Sequence, residues 1–137
     1  MLNSKCCAQG SIRGVVMFSI EDRHELEVLQ KAISVARNSE DELLGSPALA
    51  RVHTRVLDVL IEVAPDRAEA WRWWLRLETH PNRVSRIVEL AGSSSLFPSW
   101  SREEQREHLA TMLAPLTYTQ SEFDEILRRC LDAGESD

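Results

Sequence analysis

Apolar residues recur along this chain at the three- and four-residue steps of helices, in six stretches parted by proline, glycine or serine. The first stretch puts Leu26, Leu29, Ala32, Ile33 and Ala36 on one face, with Glu27 and Lys31 as an i,i+4 pair on the other. Ser19 followed by Asp22 reads as its capping box, each side chain serving an orphan N–H at the helix start. That helix closes near Asn38, and 39–45 is an acidic connector with Leu43 and Leu44 turned inward.

Ser46 before Pro47 is the clearest start signal, because proline at the first helical position gives up only a donor that had no partner. The broad apolar face that follows, from Leu49 and Val52 through Val56, Leu57 and Leu60 to Val63, predicts the central helix of a bundle. Pro65 stops it, and Asp66 with Glu69 predicts a capping box for a third helix running to about Thr79. A fourth helix, capped by Asn82, carries Val84, Ile87, Val88 and Leu90 and closes at Gly92, read as a left-handed C-terminal residue. After an irregular stretch over 93–100, Ser101 with Glu104 caps a fifth helix that Pro115 ends. Thr119 with Glu122 caps a sixth, striped by Phe123, Ile126, Leu127, Cys130 and Leu131 and finishing at Gly134.

The expected fold is therefore all-α, a compact bundle of about six short helices, open to arrangement as stacked hairpins. A length of 137 residues with 43% hydrophobic and 28% charged residues suits one globular domain around one core, and two separate cores are not expected. The expected division is a flexible arm over 1–18, a single helical domain over 19–134 and a disordered tail over 135–137. Met17 is a second candidate for the initiating residue.

Net charge is −6, unevenly spread. Residues 20–44 hold seven acids against three bases and residues 99–137 hold nine against four, whereas 45–98 carries seven arginines against six acids. Such acidic ends repel phosphate backbones and attract a basic partner, for instance a nucleic-acid-binding enzyme. Fourteen of the sixteen basic residues are Arg, a bias that a GC-rich coding genome accounts for. Three cysteines, the adjacent Cys6 and Cys7 and a stripe residue Cys130, give neither a disulfide framework nor zinc-ligand spacing. Cys130 is expected to pack as a small hydrophobe. Without a membrane-length apolar run or a signal-peptide pattern, the expected location is the cytoplasm.

No phosphate loop, nucleophile elbow, paired-carboxylate or histidine-pair motif stands in the sequence, so no catalytic, cofactor-binding or metal-binding residue is assigned. Glu103, Glu104 and Glu107 read as a solvated helix face. His53 falls inside the apolar face of the second stretch, where a buried imidazole donating to a carbonyl is expected; a catalytic or small-ligand reading would need a pocket beside it. The last two stretches have the spacing of a helix-turn-helix, but the would-be recognition helix opens with Glu122, Asp124 and Glu125, which would face phosphate. A strip of Arg51, Arg55, Arg72, Arg76, Arg83 and Arg86 is the better nucleic-acid candidate and the alternative reading of function.

Protein binding has the most positive signal. Trp71, Arg72, Trp73 and Arg76 alternate the two residue types most enriched at interface hot spots, and Leu96, Phe97 and Trp100 add large side chains on an irregular backbone. At 100° per residue the tryptophans at 71, 73 and 74 span too wide an arc for one core, which leaves Trp71 or Trp73 partly exposed. Tyr118, Thr119, Glu122 and Phe123, opening a helix as Tyr-Thr-x-x-Glu-Phe, resemble the start of the first helix in nuclease-colicin immunity proteins, small acidic helical inhibitors of toxic nucleases. Tyr118 is the only tyrosine, so that family's paired tyrosines have no counterpart and no binding residue is carried over. The expectation is a non-catalytic protein-binding module, a small bacterial or phage inhibitor of the toxin-immunity or anti-defence type. A two-fold homodimer burying the tryptophan face is compatible with the same pattern.

Overall fold

The computed structural model describes residues 22–135, and the calls on the 1–18 arm, Ser19, Met17, Cys6 and Cys7 lie outside them. Within that range the chain is all-α, with seven helices: α1 Arg23–Ser39, α2 Asp41–Leu44, α3 Pro47–Val63, α4 Ala68–Trp74, α5 Pro81–Ser93, α6 Arg102–Leu113 and α7 Gln120–Glu135. Short 3-10 turns occupy Pro65–Arg67, Leu77–Thr79 and Phe97–Ser99. The acidic connector thus winds into a helical turn of its own, burying Leu44. No helix among the described residues is long and apolar enough to cross a membrane.

Three helix starts follow the sequence. Ser46 accepts from the Leu49 N–H with Pro47 at the first position of α3. Ser101 and Glu104 form the reciprocal capping box of α6. Thr119 and Glu122 do the same for α7, at 2.8 and 3.1 Å. The other starts differ. Asp22 is itself the N-cap of α1, accepting from Glu25, and Glu27 pairs with Arg23 one turn back, not with Lys31. Asp66 caps nothing; its carboxylate takes both terminal nitrogens of Arg23 at 3.0 and 3.1 Å. Proline at the first position begins α5, so Asn82 lies inside the helix.

Two helix ends also depart from the local reading, each for a long-range reason. α4 stops at Trp74 because Arg76 turns extended and the backbone bridges to Thr117: Thr117 donates to the Leu75 carbonyl at 2.8 Å and Leu77 donates to the Thr117 carbonyl at 3.0 Å. Gly92 is helical, with no positive-φ glycine among the described residues. A Cβ at Gly92 would stand 2.9 Å from Ala133 Cβ, so the missing side chain serves the close crossing of α5 and α7.

The buried apolar residues divide into two clusters, against the expectation of one. The first comprises Leu26, Ile33, Val56, Leu57, Leu60 and Leu75, with Trp71 and Trp74 against it. The second is larger and joins α5, α6 and α7, with Leu44, Leu77, Phe97 and Leu116 added from the connections. What parts them is a layer of buried polar side chains, Gln30, Arg37, His53 and Arg83. α3 touches α1, α2, α4 and α6 and is central in that sense, yet Val52 and Val63 on its flank stay exposed.

Candidate functional site

Helical geometry sorts the three tryptophans of α4. Trp71 and Trp74, three positions apart, share a side and meet edge to face, ring centroids 5.7 Å apart, half-buried against the first core. Trp73 points the other way and is 55% exposed. The guanidinium of Arg76 lies 4.8 Å over its ring and pairs with Glu78. Arg72 is exposed beside them. Stacking and ion pairing hold this indole and guanidinium in one orientation, which lowers the entropy a partner would have to remove on docking.

Glu78 leads directly to a groove of about 500 Å³ between α5 and the start of α7. Leu77, Pro81, Val84 and Ile126 give it an apolar lining, and Glu122 and Arg129 also line it. The Thr117 bridge sets Tyr118 next to this region, where it is 37% exposed and its ring sits 5.5 Å from Phe123. Sequence reading missed the groove and Tyr118 as surface features, because both depend on a backbone pairing between segments about forty residues apart.

The second aromatic segment divides differently. Leu96 is 62% exposed, but Phe97 is sealed in the second core and Trp100 is half-buried, edge-on to His108 at 5.1 Å. Ser94 accepts from the N–H groups of Leu96 and Phe97 and so turns Phe97 inward. Of the seven residues singled out in the sequence, Arg72, Trp73, Arg76 and Leu96 are exposed, whereas Trp71, Phe97 and Trp100 pack inward. The two segments rest on different cores and do not form one cluster.

His53 is fully buried, and its carbonyl acceptor is the side-chain amide of Gln30. Arg37 can only donate, so its 3.1 Å approach to Nδ1 makes that nitrogen the acceptor and leaves Nε2–H to donate to Gln30 Oε1 at 2.7 Å. Burial, with Arg37 and Arg83 adding repulsion, pulls the imidazole pKa down to about 3. Both ring nitrogens are therefore engaged in a neutral ring that no solvent reaches. Cys130 packs in the second core as expected, its thiol pushed up to about 11 by burial.

The same layer draws two members, Arg83 and Arg86, away from the arginine strip. Helices leave their last carbonyls without intrahelical donors, and three arginines collect them where α1, α2 and α6 end. Arg37 donates to the carbonyls of Leu44, Thr111 and Ala114; Arg83 donates to Met112; Arg86 reaches the carbonyls of Arg37 and Asn38 and pairs with Asp41. Among the described residues Arg37 has no carboxylate partner, and the negative ends of the helix dipoles take that place. Burial, then repulsion from Arg37 and Arg86, pulls Arg83 down to about 10. Of the strip, Arg51, Arg55, Arg72 and Arg76 remain on the surface.

Among the described residues no group of three His, Cys, Asp or Glu side chains is placed to hold a metal ion. Comparison of the chain with protein-family models, with curated proteins and with solved structures gave no match. The local resemblance at Tyr118 to Phe123 is, in the structure, the capping box that opens the last helix.

Proposed function

We propose that this chain is a non-catalytic protein-binding domain, a small cytoplasmic inhibitor that acts by covering part of a partner's surface. One observation carries the reading: Trp73 stands more than half exposed, with Arg76 stacked on it and paired to Glu78, a residue that lines an apolar groove. Exposed indole is costly to leave in water, and tryptophan and arginine dominate the binding energy of measured interfaces. Arg72, Trp73, Arg76 and Tyr118 are the contact residues assigned here. An acidic chain favours a basic partner, and a nucleic-acid-processing toxin or defence enzyme has that character.

Paired captures from a native lysate, with the wild-type chain and with Trp73→Ala as baits, test the reading by quantitative mass spectrometry. A stoichiometric protein held by the wild type and depleted at least about tenfold on the variant is expected. The purified partner should then lose activity on titration with one equivalent of the chain. Equal recovery on both baits, or a bound partner whose activity is unchanged, would reject the proposal.

A further inference from the structure

The solvent side of α6 carries two kinds of surface in sequence. At 100° per residue, Glu103, Glu107, Ala110, Thr111 and Ala114 fall within an arc of about 100°, opposite the buried Gln105, Leu109, Met112 and Leu113. The first half of that face is acidic and the second half is small. Glu103 and Glu107 are exposed, and neither makes an ion pair among the described residues.

Beside the small half runs a groove of about 460 Å³, walled by Ala110, Thr111 and Ala114 on one side and by Ala50 and Thr54 of α3 on the other. Arg51 and Arg55 line it, exposed and likewise without an ion pair; Asp58 is the one acid among its lining residues. Beneath it, the buried Arg37 guanidinium bonds to the Thr111 and Ala114 carbonyls, with no carboxylate partner among the described residues. On a chain of net charge −6 this is a basic trough, and its occupant must be acidic and slim enough to lie against alanine.

The acidic half of α6 itself meets that description. The pit and the acids share one helix face, so a copy rotated by a two-fold axis, with its α6 antiparallel, places acids over arginines twice in one interface. We propose that the protein self-associates through this face, Glu103 and Glu107 of each copy lying against Arg51 and Arg55 of the other, with the alanines at the crossing. The surface is separate from the one around Trp73, and neither proposal depends on the other.

Sedimentation equilibrium of the full chain tests it with two reversed-charge variants, Arg51→Glu/Arg55→Glu and Glu103→Arg/Glu107→Arg, each checked for a native helical spectrum. The wild type is expected to show a monomer–dimer equilibrium that weakens at least about tenfold between roughly 50 mM and 500 mM salt. Each variant alone should be monomeric, because like charges then face each other. An equimolar mixture of the two should dimerise again, since both contacts of the mixed pair are complementary. A wild type that is monomeric at all concentrations up to about 1 mM overturns the proposal. So does a dimer indifferent to both variants, or variants that fail to recover on mixing.

Discussion

The two cores admit different things. The α5–α6–α7 side gathers thirteen apolar residues, and its buried polar neighbours, Gln105 and Arg83, are occupied with the Phe97 carbonyl at 2.9 Å and the Met112 carbonyl at 3.3 Å. The α1–α3 side gathers six and lies against Gln30, Arg37 and His53, while Val28, Val35, Val52 and Val63 stay outside. One half is held by apolar area, at roughly 25 cal/mol per Å². The other depends on hydrogen bonds, because an unpaired buried donor or acceptor costs about 1–3 kcal/mol, and it already carries two buried donors, Arg37 Nε and Trp71 Nε1, without a partner among the described residues. The junction is thus where the fold has most to lose from a single side chain.

The largest effect is expected at that junction. Arg37→Ala strips the Leu44, Thr111 and Ala114 carbonyls and His53 Nδ1 of their donor, and at about 1–3 kcal/mol for each buried acceptor left unpaired should lower unfolding free energy by about 3–5 kcal/mol or more. Leu113→Ala, wholly within the apolar half, should cost about 2–5 kcal/mol through transfer and cavity terms. Urea titrations monitored by circular dichroism compare them. An Arg37→Ala loss under about 1 kcal/mol would mean that the polar layer is dispensable.

Acid should attack the same half. The folded His53 pKa of about 3 lies below its ordinary 6.5, so as pH falls the unfolded chain takes up a proton that the folded chain refuses. Its contribution is fully present above about pH 6.5 and declines by about 1.4 kcal/mol per pH unit down toward about 3. Burial lowers His80 and His108 as well, which steepens the decline in the same direction. In His53→Gln the slope of stability against pH should shrink by about one proton's worth between about pH 6 and 4.5; an unchanged slope would contradict the buried neutral ring.

A smaller loss is expected in the apolar half. Gly92→Ala would put a methyl 2.9 Å from Ala133 Cβ, an overpacking cost of about 1–3 kcal/mol, partly offset by alanine's better helix propensity. Adding Ala133→Gly should recover most of it. A stabilised single variant would show that α5 and α7 can part at little cost.

What the sequence made legible was information contained within four residues: the caps at Ser46, Ser101 and Thr119 and the periodicity of the longer helices. What stayed hidden depended on distant partners. The end of α4 is set by Thr117, and the role of Gly92 is set by Ala133. The disappearance of Arg83 and Arg86 from the strip follows from where α1 and α6 end, and no local window contains that. For the candidate surface, helix geometry required Trp71 or Trp73 to face outward; the choice between them followed from which side of α4 the first core lies on.

That choice gives the finest contrast, between two tryptophans on one short helix. Trp73→Ala removes an exposed ring and should shift unfolding free energy by no more than about 0.5 kcal/mol. Trp71→Ala removes the edge-on partner of Trp74 from the first core and should cost about 3 kcal/mol. Affinity for the captured partner should invert the order: Trp73→Ala weakens it by about 2 kcal/mol, roughly thirtyfold, while folded Trp71→Ala binds almost as the wild type does. Denaturant midpoints and titration calorimetry on the same preparations decide it. Were Trp73→Ala the destabilised variant, its ring would be part of the fold's packing, and the surface assigned to the partner would lose its anchor.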